Sequence, residues 1–157
     1  MLKIGFFLKE VNLRGISNSV YLFAINNQKI LKNKSFIFYN KNSSDNKREA
    51  MEKFKKKFKF IGVKNNDELN KLVKKLKIDY CYFQREGFQD YLLPNTKNII
   101  HAIFPENSKY HGYKYAFVSK WLSKNCSNNK YPYVPLPIKL PKSNQDLRNK
   151  LKIPKNA

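Results

Sequence analysis

The sequence predicts an α/β domain whose strands form a doubly wound, mostly parallel sheet. Short apolar runs alternate with amphipathic stretches along the chain, the pattern of successive βαβ units. The 157 residues suit one domain, and 41% hydrophobic and 15% aromatic content supplies enough apolar surface for a packed core rather than a disordered chain. No internal repeat is visible, and low complexity is confined to one lysine-rich stretch.

Lys3-Ile4-Gly5-Phe6-Phe7-Leu8 reads as a buried first strand, followed by a loop from Lys9 to Ser17. Ser17, Asn18 or Ser19 is placed to cap a helix running to about Leu31, with Val20, Phe23, Ala24 and Leu31 on one face. Ser35 to Tyr39 is the second strand and Asn40 to Asn46 a polar loop. Lys47 to Phe58 has helical spacing, aligning Met51, Phe54 and Phe58 among lysines. Phe60 to Val63 is a short strand. Asp67 then caps the most regular helix, where Leu69, Leu72, Val73 and Leu76 fall on one stripe. Ile78 to Phe83 is the next strand, with an irregular segment through Pro94 behind it. Asn98 to Phe104 and Tyr115 to Val118 complete the strands, a short helix starts at Trp121, and Tyr131 to Pro141 is an extended, proline-punctuated strap. Together these make a sheet of roughly five to seven strands.

A net charge of +21 calls for an account. One reading is an electrostatic footprint for nucleic acid, anionic lipid or a phosphorylated substrate. The other is compositional. Only Arg14, Arg48, Arg85 and Arg148 among the 32 basic residues are arginine, the side chain that grips phosphates bidentately. The accompanying asparagine and isoleucine are what A+T-rich coding produces, so nucleic acid is the weaker partner reading. Cys81 lies in an apolar run and Cys126 in a polar loop, which argues against a disulfide and for reduced thiols; two cysteines alone make no zinc site. The first residues lack a secretory pattern and no stretch approaches the roughly 20 apolar residues of a membrane span. The expectation is a cytoplasmic protein.

Several residues carry candidate chemistry. Gly15 follows a strand and precedes a helix, so bare amides there face an anion, or the glycine simply makes a tight turn. Arg14 beside it holds an acceptor phosphate or hydroxyl, or is solvated. His101 lies near a strand end, the side of an open α/β sheet where ligands bind, unless it is a satisfied core imidazole. Glu86, after a strong strand, is suited to binding hydroxyls or to pairing with Arg85. Ser119 is a candidate helix cap. Lys53 to Lys59, interleaved with Phe54 and Phe58, is either a basic element for peripheral membrane contact or a solvated helix face.

Four passages, in order, resemble the N-terminal domain of GT-B glycosyltransferases of the family 4 type. They are Asn12-Leu13-Arg14-Gly15 between the first strand and helix, and Ile99-Ile100-His101-Ala102-Ile103-Phe104. The third, Tyr115 to Leu122 with Tyr133-Val134-Pro135, is similar to the family's "vSewL … vP" passage. The fourth is Asp146 to Ala157, similar to the "LR..L.IP" hinge that leads into a second domain. The resemblance implies a Rossmann-like acceptor-side domain over 1–141 and an interdomain hinge over 142–157, with the donor-binding domain absent from this chain. It implies retaining transfer of a hexosyl group from a nucleotide sugar to a glycan or lipid-linked acceptor, with no metal or other cofactor. Arg14, Gly15, Glu86 and Ser119 would line the acceptor side and His101 would take the catalytic position. The family's pair of acidic donor residues is missing with the second domain, and a single glycine replaces the family's glycine pair. The isolated chain is then expected to have little or no transferase activity. The alternative is a basic module for nucleic acid or an anionic surface on the same fold.

Overall fold

A computed structural model describes residues 1–86, 91–105, 110–139 and 151–152. Six strands form one sheet, β1 (Lys3–Leu8), β2 (Lys34–Asn40), β3 (Lys59–Val63), β4 (Tyr80–Arg85), β5 (Lys97–Ala102) and β6 (Lys114–Phe117). Their order is β3-β2-β1-β4-β5-β6 and every pairing is parallel. The fold is therefore α/β and Rossmann-like, with its order reversing between β1 and β4. In such a sheet the crevice beyond the carboxyl ends of those two strands is where ligands bind.

Two helices, α1 (Gly15–Lys29) and α2 (Arg48–Lys55), pack on one face; α3 (Asn66–Leu76) and α4 (Lys120–Ser127) pack on the other. The α3/α4 face buries Phe38, Leu69, Val73, Phe83, Ile100 and Phe117 almost completely. Full burial of each such side chain contributes roughly 1.5–3 kcal/mol. The α1/α2 face buries Leu8, Val11, Val20, Ala24, Ile37 and Phe54.

Local chemistry sets the boundaries. The cap of α3 is Asn65, not Asp67: its Oδ1 accepts from the Glu68 amide at 2.9 Å, and the Glu68 carboxylate accepts from the Lys64 amide at 2.7 Å. Asp67 sits inside the first turn, where its charge suits the helix dipole. Helix α1 begins earlier than its serines suggest, because Ser17 and Ser19 are buried and bonded elsewhere. It also stops at Lys29, leaving Leu31 exposed. Phe54 and Phe58 face the core, and the lysines of 53–59 form an outward basic surface. Between β4 and β5, the buried Asn98 carboxamide bonds to the Leu93 amide and to the Leu93 and Thr96 carbonyls, which gives the irregular segment a defined path. Gly112 has φ +85°, and a Cβ there would stand 2.8 Å from Ile100, so only glycine fits the approach to β6.

The strap after α4 is extended. It joins the sheet edge through the Phe117 amide to the Pro132 carbonyl and the Val134 amide to the Phe117 carbonyl. Cys81 and Cys126 are both free thiols. No helix among the described residues is long and apolar enough to cross a membrane. Of the hinge expected over 142–157, only Leu151 and Lys152 are described, as an exposed turn; the rest lies outside the described residues, as does Gly87 beside Glu86.

Candidate functional site

A crevice of about 350 Å³ opens at the carboxyl end of the sheet, at the point where strand order reverses. Its walls come from the β1–α1 loop, the end of β4 and the residues after β5. Arg14, Gly15 and Glu86 all line it, although Glu86 is far from the other two in sequence.

The β1–α1 loop is held by Asn12. Its Oδ1 accepts from the Arg14 amide at 2.9 Å, its Nδ2 donates to Glu10 at 2.7 Å, and its own amide donates to the Ser17 hydroxyl at 3.1 Å. A second loop braces the first: the Asn46 side chain accepts from the Val11 amide at 2.8 Å, and the Lys47 amide donates to the Val11 carbonyl at 2.7 Å. This loop geometry leaves α1 without a side-chain cap and without an acid in its first turn. Gly15, Ile16 and Ser17, whose amides carry the partial positive charge of the helix start, line the crevice together with Glu10.

Gly15 is not in the left-handed region, and a Cβ placed on it would meet nothing within 4 Å. Neither backbone conformation nor packing requires glycine here, so the tight-turn account of Gly15 is set aside. The Arg14 side chain is 74% exposed, with Glu10 at 3.5 Å and Asp45 at 4.0 Å. Such exposed pairs are weak and leave the guanidinium available to a ligand. Glu86 is exposed. Arg85 turns the other way, stacked 4.4 Å over the Phe83 ring, with Nη2 donating to the Tyr91 carbonyl at 3.1 Å.

His101 and Ser119 do not line the crevice. Ser119 caps α4, its hydroxyl accepting from the Leu122 amide at 3.2 Å. His101 stands near the end of β5, as expected, but its ring is buried among Phe23 and Tyr82, the core-imidazole alternative. Its Nδ1 is 2.6 Å from the Tyr82 hydroxyl, which in turn accepts from Gln84 Nε2 at 3.2 Å. The Tyr82 hydroxyl thus joins the His101 ring to the Gln84 amide. Burial lowers the His101 pKa; the nearby backbone of Val134 and Phe117 opposes the shift, though neither gives Nε2 a well-aligned hydrogen bond. Burial likewise pushes the Tyr82 pKa up. The thread continues from Gln84 Oε1 to the Ser19 hydroxyl at 2.9 Å. Gln84 is thus both a crevice wall and the last link to His101. Nothing in the sequence singles out Gln84, because an isolated polar residue does not announce a partner 65 positions away.

No family model matches this sequence, and neither a curated protein nor a solved structure matches it. Among the described residues no group of three His, Cys, Asp or Glu side chains is arranged to hold a metal ion.

Proposed function

We propose that this chain is the acceptor-side domain of a GT-B-type glycosyltransferase, holding a hydroxyl-bearing acceptor while a second domain binds the nucleotide sugar. One observation carries the reading. Arg14, Gly15 and Glu86, singled out from sequence, converge on one crevice at the switch point of the sheet. In this reading the Glu86 carboxylate accepts hydrogen bonds from acceptor hydroxyls. Arg14 and the uncapped amides of α1 take a phosphate or other anionic group on the same molecule. His101 is then a positioning residue, acting through Tyr82 and Gln84 on the crevice wall, and Ser119 shapes the fold only. The transfer retains anomeric configuration and draws on no metal, as the sequence resemblance implies.

The test is an amide-shift titration of the whole chain with methyl hexosides and hexose phosphates. Shifts confined to residues 14–17 and 84–86, and abolished by Glu86→Gln and Arg14→Ala, support the reading. A chain silent to sugars that binds random oligonucleotides, with a steep slope against log[salt] and shifts along Lys53 to Lys57, supports the basic-module reading instead.

A further inference from the structure

At the opposite end of the sheet lies a second, larger hollow. On the α1 side, α1 meets β4 and β5 through Ser19 at Gln84 and through Phe23 at Tyr82 and His101, and toward the amino ends of these strands the described residues leave a hollow. The result is an open trough of about 540 Å³ between α1 and the exposed flank of the sheet. Its floor is Ile4, Phe6, Tyr80 and Ile99, and its wall is Phe23 and Ile30. The volume is that of a small-molecule site. Two of the polar side chains on its border, Asn27 and Asn33, are already engaged. Asn27 Nδ2 donates to the Ser35 hydroxyl at 2.8 Å, Asn33 Nδ2 donates to Asn27 Oδ1 at 3.1 Å, and Asn33 Oδ1 accepts from the Leu2 amide at 3.2 Å. Apart from Asn26 and the Tyr80 hydroxyl, what remains for a ligand is hydrocarbon surface, with Leu2, Ile30 and Leu31 exposed at the lip by 44%, 70% and 65%.

The strap sets the other end. Pro137 and Asn26 border both the trough and an adjoining hollow, where Lys29, Lys57 and Lys139 meet the exposed Ile138. Among the described residues neither hollow is lined by an acidic side chain; Glu49 and Glu52 lie with Lys57 around a neighbouring hollow. An apolar channel that opens on three ammonium groups is complementary to a long hydrocarbon chain ending in an anion.

We propose that this trough binds a single-chain anionic amphiphile of the long-chain carboxylate class. The hydrocarbon lies along Phe23, Tyr80 and Ile99, and the head group rests among Lys29, Lys57 and Lys139. The site is separate from the crevice and does not depend on the sugar-transfer reading.

The test is displacement of a fluorescent long-chain carboxylate from the full chain by hexadecanoate, below its micelle concentration. The expected result is saturable binding of one ligand per chain, with amide shifts at Phe23 and Ile99. Ile30→Glu/Leu31→Glu, which changes only exposed side chains, should weaken binding by about tenfold or more. Lys57→Glu should weaken hexadecanoate but leave hexadecanol unchanged. Circular dichroism establishes that each variant stays folded. Several ligands per chain with affinity collapsing in salt would overturn the proposal. So would binding to anionic phospholipid vesicles without binding to monomeric hexadecanoate, or binding indifferent to the lip variants.

Discussion

On the α3/α4 side of the sheet, Leu69, Val73 and Leu122 close over Phe38, Phe83, Ile100 and Phe117 to leave a continuous apolar layer. On the α1/α2 side, Val20, Ala24 and Phe54 close only over β1, β2 and their neighbours. Beyond Tyr82 that layer gives way to a polar thread toward the crevice and an open trough toward the other end. Both faces derive from strands of similar apolar content. The difference arises from topology: two crossovers run outward to β3 and cover one flank, while the return to β4 and the steps beyond it pass over the opposite face. A completed face stabilises the domain, whereas an incomplete one leaves room for ligands.

The largest test of this contrast is a matched pair of truncations. Phe117→Ala, on the closed face and fully buried, should cost roughly 3–5 kcal/mol of unfolding free energy in urea. Phe23→Ala, half-buried at the trough wall, should cost clearly less, because solvent or neighbouring side chains fill the space. Equal costs would mean that the trough is part of the core.

The polar thread gives the next effect. Tyr82→Phe leaves His101 Nδ1 and the Gln84 amide without their shared partner and should cost about 1–3 kcal/mol in the same assay. His101→Gln addresses its acid sensitivity. The core holds the neutral imidazole and lowers its pKa, so the unfolded chain binds the extra proton. Stability should therefore fall as pH drops below about 6.5, the ordinary histidine value, until the folded-state pKa is passed. The Gln variant should lose that part of the slope when urea midpoints are compared across pH.

Smaller effects come from the two differently made helix starts. Removing the cap of α3 with Asn65→Ala should cost about 1 kcal/mol. Supplying one to α1 with Arg14→Ser should stabilise by a few tenths to about 1 kcal/mol while weakening any anion held by the first-turn amides. A stabilised Arg14→Ser chain that keeps full affinity for hexose phosphates would remove those amides from the site.

Much of this was legible in the sequence. The alternation of apolar runs and amphipathic stretches specifies the six strands and four helices to within a few residues, because period and turn chemistry are local properties. Arg14, Gly15 and Glu86 were also readable, since a strand end followed by glycine or charge marks the ligand side of a parallel sheet. The start of α1 was misplaced because Ser17 and Ser19 have cap chemistry but spend it on Asn12 and Gln84. In the lysine-rich stretch the spacing of Phe54 and Phe58 marked the buried side, and both are core.

Secondary structure, sheet class and the carboxyl-end loops were thus determined by residues acting on near neighbours. The tertiary structure alone decided that His101 sits beneath the crevice rather than in it, because its place depends on Phe23 of α1 and Tyr82 of β4 closing around the ring. It alone decided that the described residues leave a hollow on one flank of the sheet. That outcome follows from strand order and crossover direction, which bring distant segments together and which no local pattern encodes.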